Sequence, residues 1–198
     1  MAYLVPDGFL RELIAFADQV VSGGEWLYNA AALMAPLTIQ QVFDLALQHH
    51  QAGRLSEAER LYRQIITQQP GHSDALHLFG VIAHQTGHCD AAADLIRQAI
   101  ALNPNFADAH TNLGNALAAS GKLDEAIAAY RQAAALDPGS AKFQTNLGNA
   151  LREQGQYDEA IYACRRAIAL SPDFPTAHYN LGETMQQASR SAKRGRMG

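Results

Sequence analysis

The sequence is poor in the residues that mark several specialised protein classes. Its 198 residues include two cysteines, Cys89 and Cys164, which are too few for a disulfide framework and fit a reducing compartment. No apolar run has the length that crosses a bilayer, and charged residues interrupt the apolar stretch near the N-terminus, which argues against a signal peptide. We therefore expect a cytoplasmic protein with no membrane partner.

Basic residues are also scarce. Lysine and arginine total 15 against 19 aspartates and glutamates, which gives a net charge of −4. Nucleic acids and acidic membranes bind clustered lysine and arginine, so this balance argues against both as partners. The basic residues that do cluster lie in "ASRSAKRGRMG" at the C-terminus, and we expect residues 188–198 to form a disordered, solvated tail.

The sequence repeats itself with a fixed period of 34 residues. Prolines, glycines and alanines each recur four times at this spacing, which chance does not explain. The recurring positions are Pro70, Pro104, Pro138 and Pro172; Gly53, Gly87, Gly121 and Gly155; and Ala58, Ala92, Ala126 and Ala160.

Each period has the pattern of a helical hairpin. Apolar residues at i, i+3 and i+4 predict a first helix, Gly121 and its equivalents predict a turn, and Pro138 and its equivalents end a second helix. Asp124 is predicted to cap the second helix. The sequence thus predicts an array over 39–187, with units 39–72, 73–106, 107–140, 141–174 and a partial unit 175–187.

Glycines inside the first helices indicate close packing. Gly80, Gly114 and Gly148 occupy the same position of three units, although glycine costs up to about 1 kcal/mol in a helix interior relative to alanine. A packing demand at this position explains the glycines. We expect each to face the second helix of its own unit, and the stacked units to form a solenoid.

Residues 1–38 precede the array and are predicted to form a helical extension or cap. An apolar face over 8–21 indicates an amphipathic helix, and a shorter helical stretch follows over 26–34. Thr38 and Gln41 form a predicted capping box that opens the first repeat. An alternative is that Met34 is the true start and the preceding residues are an accidental extension.

These units resemble the tetratricopeptide repeat (TPR) family. The signature positions of that family are filled here by Leu113, Gly114, Ala126, Tyr130, Ala133 and Pro138, and in the next unit by Leu147, Gly148, Ala160, Ala167 and Pro172. The resemblance implies an all-α fold, a right-handed superhelical solenoid of antiparallel helix pairs. It also implies that the protein binds another protein.

Asparagines recur on the first helices, on the face that the family turns toward its concave groove. One position holds Asn112, Asn146 and Asn180, and a second holds Asn115 and Asn149. A primary amide offers both an acceptor and donors, so it can pair with the backbone of an extended peptide whatever its side chains. We predict that the five asparagines form a ladder that binds an extended polypeptide.

The segment "NLGNAL" followed by "DEAI" and tyrosine resembles the TPR arm of O-linked N-acetylglucosamine (O-GlcNAc) transferases. The resemblance implies an alternative function, the substrate-targeting arm of such a glycosyltransferase. Two departures are evident. The first two units have Asp44, Leu78, Leu47 and Val81 at the asparagine positions, and nothing after residue 187 could form a catalytic domain.

Three other interpretations stay open. The amides could bond within the protein, as semi-buried asparagines usually do. Some TPR domains clamp a ligand carboxylate with two asparagines and flanking cations; Asn115 and Asn146 could serve, but Thr111, Thr176 and Asn180 stand where the cations would be. The third interpretation is self-association through exposed repeat ends.

No pattern predicts an enzyme. His84 and His88 have a spacing that can share a metal on one helix, but Gly87 places a turn between them. Cys89 and Cys164 fall on positions that pack in the core. We therefore predict no catalytic residues, no cofactor and no metal site.

Overall fold

The computed structural model describes residues 37–195, and every regular element in this range is an α-helix. The two helices predicted over 8–21 and 26–34 lie outside the described residues, as do residues 196–198. The helices are α1 (Ile39–Gln51), α2 (Leu55–Gln68), α3 (Ser73–Gln85), α4 (Cys89–Leu102), α5 (Ala107–Ala119), α6 (Leu123–Leu136), α7 (Ala141–Glu153), α8 (Tyr157–Leu170) and α9 (Pro175–Gly195).

The chain divides into two compact units at Asp44 and Leu45. In the first unit the predicted capping box is confirmed. The backbone N–H of Thr38 donates to Gln41 Oε1 at 2.9 Å, and the N–H of Gln41 donates to Thr38 Oγ1 at 3.2 Å. The second unit begins at Leu45 and contains all the helices from α2 to α9.

Each helical hairpin turns at a glycine in the left-handed region. In the third repeat Gly121 has a φ of 75°, and the N–H of Lys122 donates back to the carbonyl of Leu117 at 2.9 Å. This bond and the positive φ are typical of a glycine-terminated helix. The same geometry recurs after α1, α3 and α7.

The prediction that Asp124 caps the second helix is wrong. Helix α6 begins at Leu123, so Lys122 is its capping residue, and no side chain bonds the first turn. The glycine turn fixes the start of the helix two residues earlier than a capping aspartate would require. Asp124 lies inside the first turn and accepts a hydrogen bond from Gln154 of the next repeat.

The three helix glycines lie against the second helix of their own repeat, as predicted. A methyl group added at Gly114 would sit 2.6 Å from Tyr130 Cε1, one at Gly80 would meet Ile96, and one at Gly148 would meet Cys164. Ala58, Ala92, Ala126 and Ala160 are completely buried. Small residues on both helices therefore set the close spacing within each hairpin.

First helices lie closer together than second helices along the array. Helix α3 contacts α5, α5 contacts α7 and α7 contacts α9, whereas no comparable contact joins successive second helices in the part of the chain that the structure describes. The first helices therefore form the inner surface of the curved stack. The fold is the all-α TPR superhelix that the sequence predicted.

Helix α9 corrects the predicted C-terminal boundary. It continues to Gly195, so residues 188–195 are helical and do not form the disordered tail predicted from their basic composition. Ala188, Ser191 and Ala192 line a pocket beside the turn between α7 and α8. Lys193 and Arg194 fall in the last turn, where cations complement the helix dipole.

Candidate functional site

The inner surface is lined by side chains that reach from one first helix to the next. Lys142 Nζ lies 3.3 Å from Asp108 Oδ1, and these residues hold the same position of successive repeats. Arg152 Nη1 lies 4.0 Å from Glu183 Oε2 on the next first helix. Glu183 occupies the position that Asn115 and Asn149 fill in the two preceding repeats.

Asn112 and Asn115 belong to a hydrogen-bonded chain across three helices. Asn112 Nδ2 lies 2.8 Å from His77 Nε2 on α3, and Asn115 Nδ2 donates to Asn112 Oδ1 at 3.4 Å. The hydroxyl of Tyr130 on α6 donates to Asn115 Oδ1 at 2.7 Å. Burial raises the pKa of Tyr130 to about 12, so this hydroxyl keeps its proton and stays a donor. We call these four residues the amide network.

His77 anchors one end of the amide network. It is 5% exposed, and its ring packs edge-on against Phe106 with 4.5 Å between ring centres. Burial lowers the pKa of His77, while the carboxylates of Asp108 and Asp74 oppose this shift. A neutral ring can accept the Asn112 N–H at Nε2. Sequence reasoning missed this role, because 35 residues separate the two partners.

The three remaining asparagines have different surroundings. Asn149 donates to Glu153 Oε1 at 2.9 Å and accepts from Arg152 Nη2 at 2.6 Å. Asn180 is 6% exposed. The half-buried side chain of Asn146 makes no hydrogen bond within residues 37–195.

Asn112, Asn115 and Asn149 thus form hydrogen bonds within the protein, which was one alternative to ligand binding. Those bonds do not use every polar atom. Counting donors, Asn112 and Asn115 each retain one N–H, and Asn146 retains its whole amide. That the five asparagines bind a ligand stays a prediction.

Arg152 is a polar residue of this surface that sequence reasoning did not select. Its side chain is 15% exposed, and its Nε is buried without a partner among the described residues. It supplies a cation near Asn149, although not at the positions of Thr111, Thr176 and Asn180 that a carboxylate clamp would use. Its helical spacing of three from Asn149 was the signal that could have identified it.

The two cysteines occupy buried or half-buried positions in the array. Cys164 is buried beside Gly148, and burial raises the pKa of its thiol, which Arg152 partly opposes. Cys89 is half-buried. Over the described range, no three histidine, cysteine or acidic residues cluster as metal ligands, and no helix is long and apolar enough to cross a membrane.

Comparisons with known proteins agree on the repeat. Family models described as TPR or tetratricopeptide repeat match residues 42–64, 77–141, 129–162 and 148–188. No curated protein matches the sequence. A crystal structure of the MamA protein has a TM-score of 0.68 at 23% identity, covering 78% of this chain and 86% of that chain.

Two further structures resemble the fold of this chain. YrrB, described as a TPR protein with an unusual peptide-binding site, has a TM-score of 0.67 at 18% identity, covering 77% of this chain and 78% of that chain. An O-GlcNAc transferase mutant from Thermobaculum terrenum has a TM-score of 0.58 at 30% identity, covering 65% of this chain but 26% of that chain.

MamA and YrrB are below 25% identity, so they establish likeness of fold alone. The family models rest on sequence and together span residues 42–64 and 77–188. They match the repeats that the helical hairpins define. Such a fold suggests a protein-interaction scaffold. The chain belongs to the tetratricopeptide repeat family.

Proposed function

We propose that the protein is a non-enzymatic scaffold that binds an extended polypeptide along the inner surface of its first helices. The observation that carries the proposal is the available amide of Asn146 on α7, the first helix between α5, which carries Asn112 and Asn115, and α9, which carries Asn180. Neighbouring helices pack about 8–10 Å apart, and an extended strand rises about 3.3 Å per residue, so one repeat would meet every third ligand residue.

The internal hydrogen bonds support this function by fixing amide orientation. Tyr130 and His77 hold Asn115 and Asn112 at both ends of the amide network, and each asparagine keeps one N–H for a ligand carbonyl. A fixed donor loses less side-chain entropy on binding than a free one. The ligand would then be recognised mainly through its backbone, with side-chain pockets adding selectivity.

The test begins with peptides selected from a random library displayed on phage. Their affinities are measured for the wild type, for Asn146→Ala and for Gln132→Ala. Gln132 is an exposed amide on α6, a second helix, so it serves as the matched control. One net hydrogen bond contributes about 0.5–1.5 kcal/mol, so Asn146→Ala should weaken binding about two- to tenfold while Gln132→Ala leaves it unchanged.

Backbone recognition gives the experiment a second readout. N-methylation of single peptide residues removes one N–H without changing the side chain. We expect sensitive positions to recur at about every third residue. Equal affinity for Asn146→Ala and the wild type, or selected peptides that bind as helices, would refute the proposal.

The targeting arm of a sugar transferase is a second candidate, favoured by the 30% identity with the T. terrenum O-GlcNAc transferase. In that case the chain should accelerate modification of a selected peptide when it is mixed with an O-GlcNAc transferase catalytic domain. The Asn146→Ala variant should accelerate it less. Tight peptide binding with no acceleration would exclude the targeting-arm function and would be consistent with the scaffold function.

A further inference from the structure

Helix α9 exposes a face that the other first helices of the second unit bury. Three positions on this face are buried in α3, α5 and α7, and all three are exposed in α9. At the first position the buried residues are His77, Thr111 and Thr145, and α9 has Tyr179. At the second they are Gly80, Gly114 and Gly148, and α9 has Gly182. At the third they are Ala83, Leu117 and Leu151, and α9 has Met185.

Neighbouring helices account for the difference. Gly148 lies against the second helix of its repeat, with an added methyl 2.9 Å from Cys164 Sγ, whereas a methyl at Gly182 would meet nothing within 4 Å. No second helix follows α9 within the described residues. Tyr179 is 66% exposed and Met185 48% exposed. We call Tyr179, Gly182 and Met185 the open face.

We propose that the open face docks onto the same face of a second copy of this chain, with the two α9 helices antiparallel about a two-fold axis at Gly182. The inference goes beyond peptide binding, because it concerns a different surface. Two features of α9, the order of its residues and the distribution of its charge, favour a second copy over another partner.

The open face is complementary to itself. Tyr179 and Met185 stand three residues before and after Gly182, so rotation about Gly182 places each against the other residue of the second copy. A thioether packs well against an aromatic ring. Gly182 has no side chain to separate the helices at the point where they cross.

The charges are also complementary in this orientation. Arg190 follows Gly182 by eight residues, about 12 Å along α9. Asp173 lies in the turn before Pro175, the first residue of α9, so the antiparallel orientation brings Arg190 of one copy toward the end of the helix where Asp173 of the other copy lies. Both are exposed, and neither forms an ion pair within residues 37–195. A parallel arrangement would instead bring Arg190, Lys193 and Arg194 of both copies together.

Sedimentation equilibrium of the full chain tests the proposal, over protein concentrations from about 1 µM to about 500 µM. One helix per copy makes a small interface, so we expect a reversible dimer with a dissociation constant of about 1–100 µM. Tyr179→Ser should weaken it at least about tenfold, as loss of a central aromatic contact does. Tyr162→Ser is the matched control, because Tyr162 is 65% exposed on α8.

A charge exchange tests the antiparallel arrangement. Asp173→Arg and Arg190→Asp should each weaken the dimer, because like charges would then face each other, and the double variant should restore it. Circular dichroism checks that every variant is folded. A chain that stays monomeric throughout, even one whose open face is covered by its own residues 1–36, would overturn the proposal. So would a dimer insensitive to Tyr179→Ser, or a double variant no tighter than the single ones.

Discussion

His77 shows how one residue can be polar and buried at the same time. Its ring is nearly inaccessible, yet Asn112 satisfies Nε2 at 2.8 Å and Phe106 covers its side. Only the neutral ring can accept that N–H, because a protonated imidazole has donors at both nitrogens. The amide network therefore depends on the charge state of His77.

This dependence predicts a loss of stability in mild acid. Burial lowers the pKa of His77 in the folded chain below its ordinary value of about 6.5, so the unfolded chain binds the proton more readily. The contribution of the neutral His77 ring to the free energy of unfolding is complete above about pH 6.5 and is lost as pH falls through the lowered pKa of the folded state. The other charged groups nearest the ring, Asp74 and Asp108, reduce the shift without reversing it.

Urea unfolding at about pH 7.5 and at about pH 5 measures this effect. The free energy of unfolding should fall more on acidification for the wild type than for His77→Gln, which keeps a polar side chain without a titratable ring. His84→Gln, on the same helix outside the amide network, is the control. If His77→Gln and the wild type lose the same free energy between the two pH values, the neutral ring is not what stabilises the network.

At this scale the sequence predicted positions better than contacts. Helical periodicity identified the helix and the face on which Asn112 and Asn115 lie, because a period of 3.6 residues fixes where each Cα is placed. It could not predict side-chain partners. The hydrogen bonds of Asn112 and Asn115 depend on His77 in the preceding repeat and Tyr130 in the second helix, which only packing brings together.

At the scale of the element, the glycine in α3, α5 and α7 sets the distance to the partner helix. A methyl group at Gly114 would lie 2.6 to 2.8 Å from three atoms of the Tyr130 ring, and the Tyr130 hydroxyl is bonded to Asn115. That ring cannot move away without breaking the amide network. The close approach of α5 and α6 thus depends on the absence of one methyl group.

Gly114→Ala should therefore lower the free energy of unfolding by about 1–3 kcal/mol, the usual cost of overpacking, despite the better helix propensity of alanine. Gly182→Ala is the matched control, because the same position of α9 is open. It should raise stability by up to about 1 kcal/mol. Both are measured by urea unfolding at about 0.1 µM, below the range of dimer dissociation constants expected above. Equal effects of the two substitutions would contradict the packing argument.

Helix pairs and turns were predictable because apolar spacing and a glycine in the left-handed region are local signals. Two element boundaries were not predictable from local signals. The second helix begins before Asp124, because the turn at Gly121 determines its start. Helix α9 continues through residues 188–195, whose basic composition suggested disorder, and the cations Lys193 and Arg194 in its last turn complement the helix dipole.

At the scale of the whole molecule, interactions between repeats connect each unit mainly to its neighbours. Buried side chains from α3 to α8 form one continuous core cluster, from Ala83 to Ala160. Exposed ion pairs add to it on the second helices, with Arg97 2.7 Å from Glu125 and Arg131 2.7 Å from Glu159. Such surface pairs contribute little each, so stability depends on the stacked cores.

A stack of this kind should lose structure locally when one core is damaged. Leu117, 1% exposed on α5, and Leu136, 36% exposed on α6, are the same residue type in one repeat. Leu117→Ala should cost about 2–5 kcal/mol, and Leu136→Ala much less. By native-state hydrogen exchange, Leu117→Ala should lower protection most in α5 and α6, less in α4 and α7, and least in α9, because coupling passes between neighbours. A uniform fall in protection across α2 to α9 would mean that the array unfolds as one cooperative unit, and nearest-neighbour stacking would then not describe its stability.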